Sequence, residues 1–181
     1  MPLFAAIGAV RAENGRGASR DALVLPPANR EFQSPSGQFV LTLSSADNWK
    51  TRHAVAELAV PADGGERKPV WRRILPHEKG PRRVLVTDTG AVVLLDEWIN
   101  IPSRHALMLI SPEGRTLAHF SIDELISTLG VARKTISANA RLGIWLSSMP
   151  VPSTDGTAMV FRTAGRGLVL ELANGRLSAT D

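Results

Sequence analysis

Short apolar runs separated by turns recur along this chain from Ala22 onward. The runs are four to eight residues long, are rich in Val, Ile, Leu, Phe and Trp, and alternate in part with polar positions, as β-strands do. In chain order they read QFVLTLS, HAVAELAV, PVWRRIL, RVLVTD, AVVLLDE, HALMLIS, RTLAHFS, GIWLSS, AMVFRT and GLVLEL. This pattern predicts one all-β domain of antiparallel strands over residues 21–181.

The segments between the runs carry the residues that hairpin turns require. Residues 34–37 (SPSG) and 111–114 (SPEG) both place proline second and glycine fourth. Proline presets φ for the second position of a type I turn, and glycine accepts the left-handed conformation that follows. Hairpins at this spacing favour antiparallel sheets.

One segment has helical periodicity. Ser121 and Glu124 match a capping box, the S-x-x-E pattern in which the two residues bond each other's backbone N–H groups. The apolar positions that follow fall on one helical face, and they are Ile122, Leu125, Ile126 and Leu129. Gly130 suits the helix end. The pattern predicts a short amphipathic helix over residues 122–129, laid on the sheet.

The tripeptide Arg-His-Ala occurs at residues 52–54 and again at residues 104–106, each time before an apolar run. When the two copies are aligned, the runs on either side correspond, both units continue to a fourth run, and a fainter third copy follows. Units of about forty to fifty residues with four strands each have the period of propeller blades. We therefore predict an array of about three four-stranded, propeller-blade-like repeats, in which the tripeptide begins the third strand of its unit.

Three stretches between residues 82 and 147 carry a resemblance, and they read RRVLVTDTGAVVLLDEW, HALMLISPEGRTLAHFSIDEL and TISANARLGIWL. Together they resemble a group of uncharacterised bacterial, often exported proteins with propeller-like β repeats. The resemblance implies a fold and no catalytic residues. Because closed propellers have four to eight blades, three units imply a curved or sandwiched array, or a homo-oligomer in which subunits combine.

Composition narrows the class of protein. A chain of 181 residues with 44% hydrophobic and 21% charged residues fits one globular domain. The net charge of +4 is scattered in short pairs, so we do not expect a nucleic-acid partner. The lack of cysteine excludes disulfides, thiolate nucleophiles and Cys-ligated zinc. No apolar run reaches the roughly 20 residues of a membrane span.

Residues 1–20 are predicted to form an apolar and then flexible tail. Leu3 to Val10 is a short apolar run, similar to the remnant of an export signal, although no positive charge precedes it. The AENGRGASR that follows has no periodicity. We therefore expect an exported, periplasmic protein, with a cytoplasmic location as the alternative.

Residues 88–91 (DTGA) resemble the active-site loop of retroviral-type aspartic proteases, in which a homodimer pairs two aspartates that share one proton. Thr87 and Val92 depart from that family, which has an apolar residue before the aspartate and a small or polar one after the alanine. Asp-Thr-Gly between two strands is also ordinary hairpin sequence, and we favour that interpretation. A dimeric protease with Asp88 as its catalytic residue is the alternative function.

Asp96 and Glu97, together with Asp88, form an acidic cluster on one predicted hairpin. The side chains of Asp96 and Glu97 are expected to point to opposite faces of a strand because they are adjacent. This argues against the convergent carboxylates of glycoside hydrolysis. We therefore expect both residues to lie on a solvated face.

The chain's four histidines, His53, His77, His105 and His119, match no metal-binding motif. His53 and His105 are repeat-equivalent and belong at the same level of neighbouring units, which makes them candidate binding residues and leaves a bridging metal conceivable. At the edge of a strand, each is more simply bonded to a loop carbonyl. We expect neither a metal nor another cofactor.

Trp49 and Trp98 lie in corresponding loops between the second and third strands of their units, whereas Trp71 and Trp145 lie inside strand runs and are expected in the core. Paired loop indoles supply a stacking surface for a sugar or an apolar partner, or they fold back to cap the core. We therefore predict a non-enzymatic β-repeat binding or scaffold module for a protein or carbohydrate ligand, with Trp49, Trp98, His53 and His105 as its binding residues.

Overall fold

The protein consists of three four-stranded antiparallel sheets, each built from strands that are consecutive in the chain. A computed structural model describes residues 24–51 and 53–180. Sheet 1 contains β1 (Asn29–Gln33), β2 (Val40–Ser44), β3 (His53–Pro61) and β4 (Arg67–Glu78). Sheet 2 contains β5 (Pro81–Val86), β6 (Val92–Glu97), β7 (Leu107–Ile110) and β8 (Thr116–Phe120). Sheet 3 contains β9 (Val151–Pro152), β10 (Ala158–Thr163), β11 (Arg166–Glu171) and β12 (Leu177–Thr180).

This arrangement confirms the predicted β architecture and its three four-stranded units, but the sheets do not close into a barrel. The histidines of the two Arg-His-Ala copies lie at corresponding places. His53 is the first residue of β3, and His105 lies two residues before β7, so both lie at or just before the start of the third strand of their sheet. The predicted tail, residues 1–20, lies outside the described residues.

Sheet 2 is buried on both faces because it lies between the other two sheets. All residues of β6 and β7 are buried. One face packs against sheet 1 through Val92, Leu94, Met108 and Ile110. The opposite face packs against sheet 3 and the helices through Val93, Leu95, Leu107 and Leu109. Continuous apolar runs in β6 and β7 are therefore a consequence of two-sided burial.

The predicted helix is confirmed as α1 (Ile122–Leu129). Ser121 Oγ accepts the N–H of Glu124 at 3.3 Å, the Glu124 carboxylate accepts the N–H of Ser121 at 2.7 Å, and Gly130 ends the helix in the left-handed conformation. A second helix that the sequence did not predict, α2 (Arg133–Asn139), follows at once and buries Ile136.

The strand predicted for GIWLSS is wrong, because residues 143–148 form a loop between α2 and β9. The run is apolar because Ile144, Trp145 and Leu146 are buried between sheets 2 and 3. The Trp145 indole donates to the carbonyl of Ala106 at 2.9 Å. The run is thus apolar because of tertiary packing, and a single backbone bond, from the Ser147 N–H to the Arg162 carbonyl at 2.9 Å, joins it to β10.

Four hairpin turns of one construction lie at one end of the sheets, and they span residues 34–37, 87–90, 111–114 and 153–156. In each, the glycine N–H donates to the first residue's carbonyl at 2.9 to 3.0 Å, and the first residue's hydroxyl accepts a backbone N–H beyond the glycine. All four join a first strand to a second or a third to a fourth. The loops that join second to third strands therefore emerge at the opposite end.

Among the described residues, no helix is long and apolar enough to cross a membrane.

Candidate functional site

Trp49 is held in the loop between β2 and β3 by a local hydrogen-bond network. Its backbone N–H donates to Ser45 Oγ at 2.7 Å, and Asp47 accepts the Ser45 hydroxyl and the Thr51 N–H. Trp49 adopts φ of +67° and is only 4% exposed. Its indole packs on the core between sheets 1 and 2 and donates its N–H to the carbonyl of Pro26 at 2.7 Å.

Trp98 occupies the corresponding loop of sheet 2 and is half-buried. Its indole N–H donates to the carbonyl of Val24 at 2.7 Å. The guanidinium carbons of Arg30 and Arg82 lie 5.0 and 4.6 Å from the ring centroid, which is cation–π distance. Trp98 is therefore covered by two cations and by main chain.

The two indoles bind one segment of the chain that has no regular secondary structure, residues 24–28. Its carbonyls at Val24 and Pro26, two residues apart, accept the two indole N–H groups. Pro26 is buried, while the side chains of Val24 and Leu25 are 76% and 41% exposed. The segment is therefore held by its backbone and by one proline. We call Trp49, Trp98, Arg30 and Arg82 the tryptophan cradle.

Arg30 ties the cradle to the link between sheets 1 and 2. Its Nη2 donates to the carbonyl of Pro81 at 2.9 Å. Burial, and secondarily the neighbouring Arg82, lowers the pKa of Arg30 to about 10, so the guanidinium remains charged at neutral pH. Lys79 Nζ donates to the Trp49 carbonyl at 3.2 Å. The Gly80 carbonyl accepts the backbone N–H of Trp98 at 3.0 Å.

All four histidines of the chain converge on the boundary between sheets 1 and 2. His77 on β4 is fully buried, and neither of its ring nitrogens has a hydrogen-bond partner. Its ring centroid lies 5.1 Å from that of half-buried His105. His105 Nδ1 lies 2.6 Å from Nε2 of the exposed His119, and His105 Nε2 lies 3.6 Å from Glu97 Oε1. Exposed His53 lines a surface groove with His119.

Burial governs protonation in this histidine cluster. Burial, followed by the charges of His105 and His119, lowers the pKa of His77 to about 3. The pKa of His105 is also lowered, first by burial and then by His119 and Arg104. Burial raises the pKa of Glu97. The rings of His77 and His105 are therefore neutral at pH 7. Within the described part of the chain, no three His, Asp or Glu side chains are arranged to hold a metal ion.

The expectation of a solvated face for Asp96 and Glu97 is wrong, because the two residues are 0% and 6% exposed. Asp96 adopts φ of +51°, which breaks the strand alternation, and Asp96 Oδ1 accepts the Ser103 N–H at 2.8 Å. Burial raises the pKa of Asp96 to about 6, and its Oδ2 has no partner. Packing of the long β6–β7 loop against this strand end is what removes both carboxylates from solvent.

Asp88 lies exposed in the turn between β5 and β6. Its Oδ1 accepts the backbone N–H of Ser36, in the equivalent turn of sheet 1, at 2.7 Å. Hydrogen bonds from Ser36 hold the pKa of Asp88 below its usual value. In this position, the carboxylate joins two neighbouring hairpin turns.

No family model matches this sequence, and neither does any curated protein.

Sequence reasoning paired His53 with His105 and missed that His77 and His119 join them. The repeat contained a signal, because His77 and His119 both lie on fourth strands. Third and fourth strands are neighbours in each sheet, so histidines on both can meet where two sheets stack. Which faces meet is a property of the stack, and the repeat alone does not specify it.

Proposed function

We propose that this protein is a non-enzymatic β-repeat binding module, with blade-like sheets, that takes up an extended, proline-containing polypeptide segment in the tryptophan cradle. The cradle is occupied by a segment of the same chain that includes residues 24–27 (VLPP). The observation that carries the proposal is the pair of indole N–H bonds, from Trp49 and Trp98, to two carbonyls of this one segment.

The chemistry of the segment suits this mode of binding. Proline-rich segments form extended helices with solvated carbonyls and little conformational entropy to lose, and aromatic-lined grooves recognise them. Pro26 is buried, and its carbonyl accepts the Trp49 indole N–H, while Val24 and Leu25 are exposed. Because the donors read backbone carbonyls, the requirement on the bound sequence is an extended conformation and a proline at the buried position.

The cradle's groups are suited to binding. Indole N–H groups donate hydrogen bonds and have no acceptor, and a guanidinium is a permanent cation at neutral pH. Arg30 and Arg82 lie over the Trp98 ring, where they cover its face and leave the N–H directed at the carbonyl of Val24. Trp49 is part of the core, so Trp98 is the residue whose change tests binding separately from folding.

The test measures binding of a labelled peptide, VLPPAN (residues 24–29), to the full-length chain by fluorescence anisotropy. The wild type is expected to bind it poorly, because a tethered segment acts at an effective concentration on the order of millimolar. The variant Pro26→Gly/Pro27→Gly loosens the internal segment and is expected to bind the peptide. Adding Trp98→Phe, which removes the N–H donor and replaces the indole by a smaller ring, should weaken that binding about 3- to 10-fold.

Trp71→Phe is the matched control, because Trp71 lies on β4 and its indole N–H has no partner. It should leave peptide affinity unchanged. Thermal melts check that each variant is folded. The proposal fails if the folded double-glycine variant does not bind the peptide, or binds it equally well with Trp98→Phe.

A further inference from the structure

The histidine cluster extends from an exposed ring to a fully buried ring that has no hydrogen-bond partner. His119 is exposed, His105 bonds to it, and His77 lies behind His105 with no exposure at all. Neither ring nitrogen of His77 has a hydrogen-bond partner, and the His105 backbone offsets only part of the lowering of the His77 pKa by burial and by two further imidazoles. Protonation of His77 therefore requires the boundary between sheets 1 and 2 to open.

The surroundings determine how much of this charge is offset. The charged and titratable groups that face the cluster from the packed elements are His53, Arg73, Glu78, Glu97, Arg104 and Glu124. Glu97 contacts His105, at 3.6 Å, but burial favours its neutral form. Asp96 accepts the Ser103 N–H and has no bond to a histidine. We therefore expect Asp96 to remain buried when the boundary between sheets 1 and 2 opens.

A five-residue link connects this cluster to the tryptophan cradle. His77 ends the buried part of β4, and Pro81 begins β5. Between them, the Lys79 side chain donates to the Trp49 carbonyl, and the Gly80 carbonyl accepts the backbone N–H of Trp98. The Pro81 carbonyl accepts Arg30. Displacement of His77 thus moves the backbone that positions three cradle residues.

We infer that His77, His105 and His119 make the boundary between sheets 1 and 2 an acid-sensitive contact, and that its opening releases the segment held by Trp49 and Trp98. The second half of this inference rests on the proposed function. The inference adds regulation by pH to a binding site that would otherwise be permanently occupied.

The sign follows from proton uptake. The opened state binds a proton at the ordinary histidine pKa near 6.5, whereas in the closed state the pKa of His77 is about 3. Opening is therefore favoured progressively as pH falls below about 6.5, by up to about tenfold per pH unit for one proton. The pKa of Glu97 is raised in the closed state, so protonation of Glu97 in acid favours the closed state. This reduces the dependence of opening on pH.

The test is hydrogen exchange of the full-length chain between pH 7 and pH 5, corrected for the intrinsic exchange rate. Protection of residues 77–81 should fall several-fold over this range in the wild type and in His53→Gln, whose imidazole is already exposed. Its dependence on pH should be smaller in His77→Gln, where His105 still takes up a proton on opening, and should also be smaller in His119→Gln. Exchange of the Trp98 indole N–H, followed by NMR, reports release of the segment.

The inference is overturned if protection of residues 77–81 does not change with pH, or if His77→Gln retains the wild-type response. It is also overturned if a chelator abolishes the response, because a bound metal would then be the cause. If protection of residues 77–81 falls in acid while the Trp98 indole N–H stays protected from exchange, the coupling of the boundary to the cradle is refuted. The peptide experiment at pH 7 tests the proposed function independently of these outcomes.

Discussion

Gly80 is the residue at which the cradle and the histidine cluster meet. Its φ is +80°, a conformation that costs an L-residue about 1 to 2 kcal/mol. A Cβ placed there would lie 2.9 Å from Arg30 Nη2 and 3.3 Å from the Cβ of Ala54. An added Cβ at this position would therefore displace the Arg30 guanidinium and crowd the Ala54 methyl group.

Gly80→Ala is expected to lower the free energy of unfolding by about 2 to 3 kcal/mol, since strain and crowding add. It should also increase exchange of the Trp98 indole N–H, because Arg30 is displaced. Gly37→Ala is the matched control, with φ of +73° and no atom within 4 Å of the added Cβ. Its cost in urea unfolding should be about 1 kcal/mol. Equal costs for the two variants would contradict the crowding at Gly80.

Asp88→Asn tests the interpretation of DTGA as a turn. The change removes the charge from the bond to the Ser36 N–H, so the melting temperature at pH 7 should fall slightly. The ionised carboxylate stabilises the fold above its usual pKa, and this stabilisation is lost as pH falls through the lowered pKa. The difference between wild type and variant should therefore disappear in acid. Peptidase activity in the purified wild type that Asp88→Asn abolishes would instead favour the protease alternative.

At the scale of elements, the hairpin turns and α1 are the parts whose local sequence and structure agree most closely. The turns at residues 34–37 and 111–114 each place a serine first and a glycine fourth, and the same hydroxyl and glycine bonds form in both. α1 begins at its capping box and ends at Gly130. Such elements depend on contacts within a few residues, which is why the sequence alone predicts them.

Ser121→Ala is expected to destabilise the protein by about 1 kcal/mol, because the cap of α1 loses its bond to the Glu124 N–H. Ser127→Ala is the matched control, since Ser127 is exposed within the same helix, where alanine is favourable. Chemical unfolding of both variants measures the difference. A loss as large for Ser127→Ala would show that the cap is not what stabilises α1.

At the scale of the whole molecule, the stack buries ionisable groups of opposite type on the two sides of sheet 2. Burial lowers the pKa of His77 to about 3, so the unfolded state binds a proton more readily than the fold does. The free energy of unfolding therefore decreases as pH falls below about 6.5. Asp96, whose pKa is raised to about 6, does the reverse: it stabilises the fold below its usual pKa, and this contribution is lost as pH rises through about 6. The two slopes therefore oppose each other.

The wild-type free energy of unfolding is accordingly expected to vary little between pH 6 and pH 4.5. Asp96→Asn should reveal the histidine contribution, with stability falling as the solution is acidified, by at most about 1.4 kcal/mol per pH unit. His77→Gln should show the opposite trend. Urea unfolding at several pH values measures all three proteins. Parallel pH profiles for the two variants would contradict the opposed burial of these groups.

The sequence by itself determined the strands that alternate, the turns, α1 and the repeat, because each follows from local periodicity or from short-range hydrogen bonds. It did not determine α2, which has no side-chain cap and is held by burial of Ile136. It also misassigned the loop at residues 143–148, where an apolar run means two-sided packing and not a ladder.

Only the tertiary structure decided the candidate site. Trp49 and Trp98 were predicted as a pair. That both indoles bind residues 24–28 follows only from the tertiary structure, which brings this segment to both loops. The burial of Asp96 and the convergence of His77, His105 and His119 depend on which sheet faces meet. The energy of stacking is spread over dozens of apolar contacts far apart in sequence, so no short motif encodes the positions of the polar groups enclosed between the sheets.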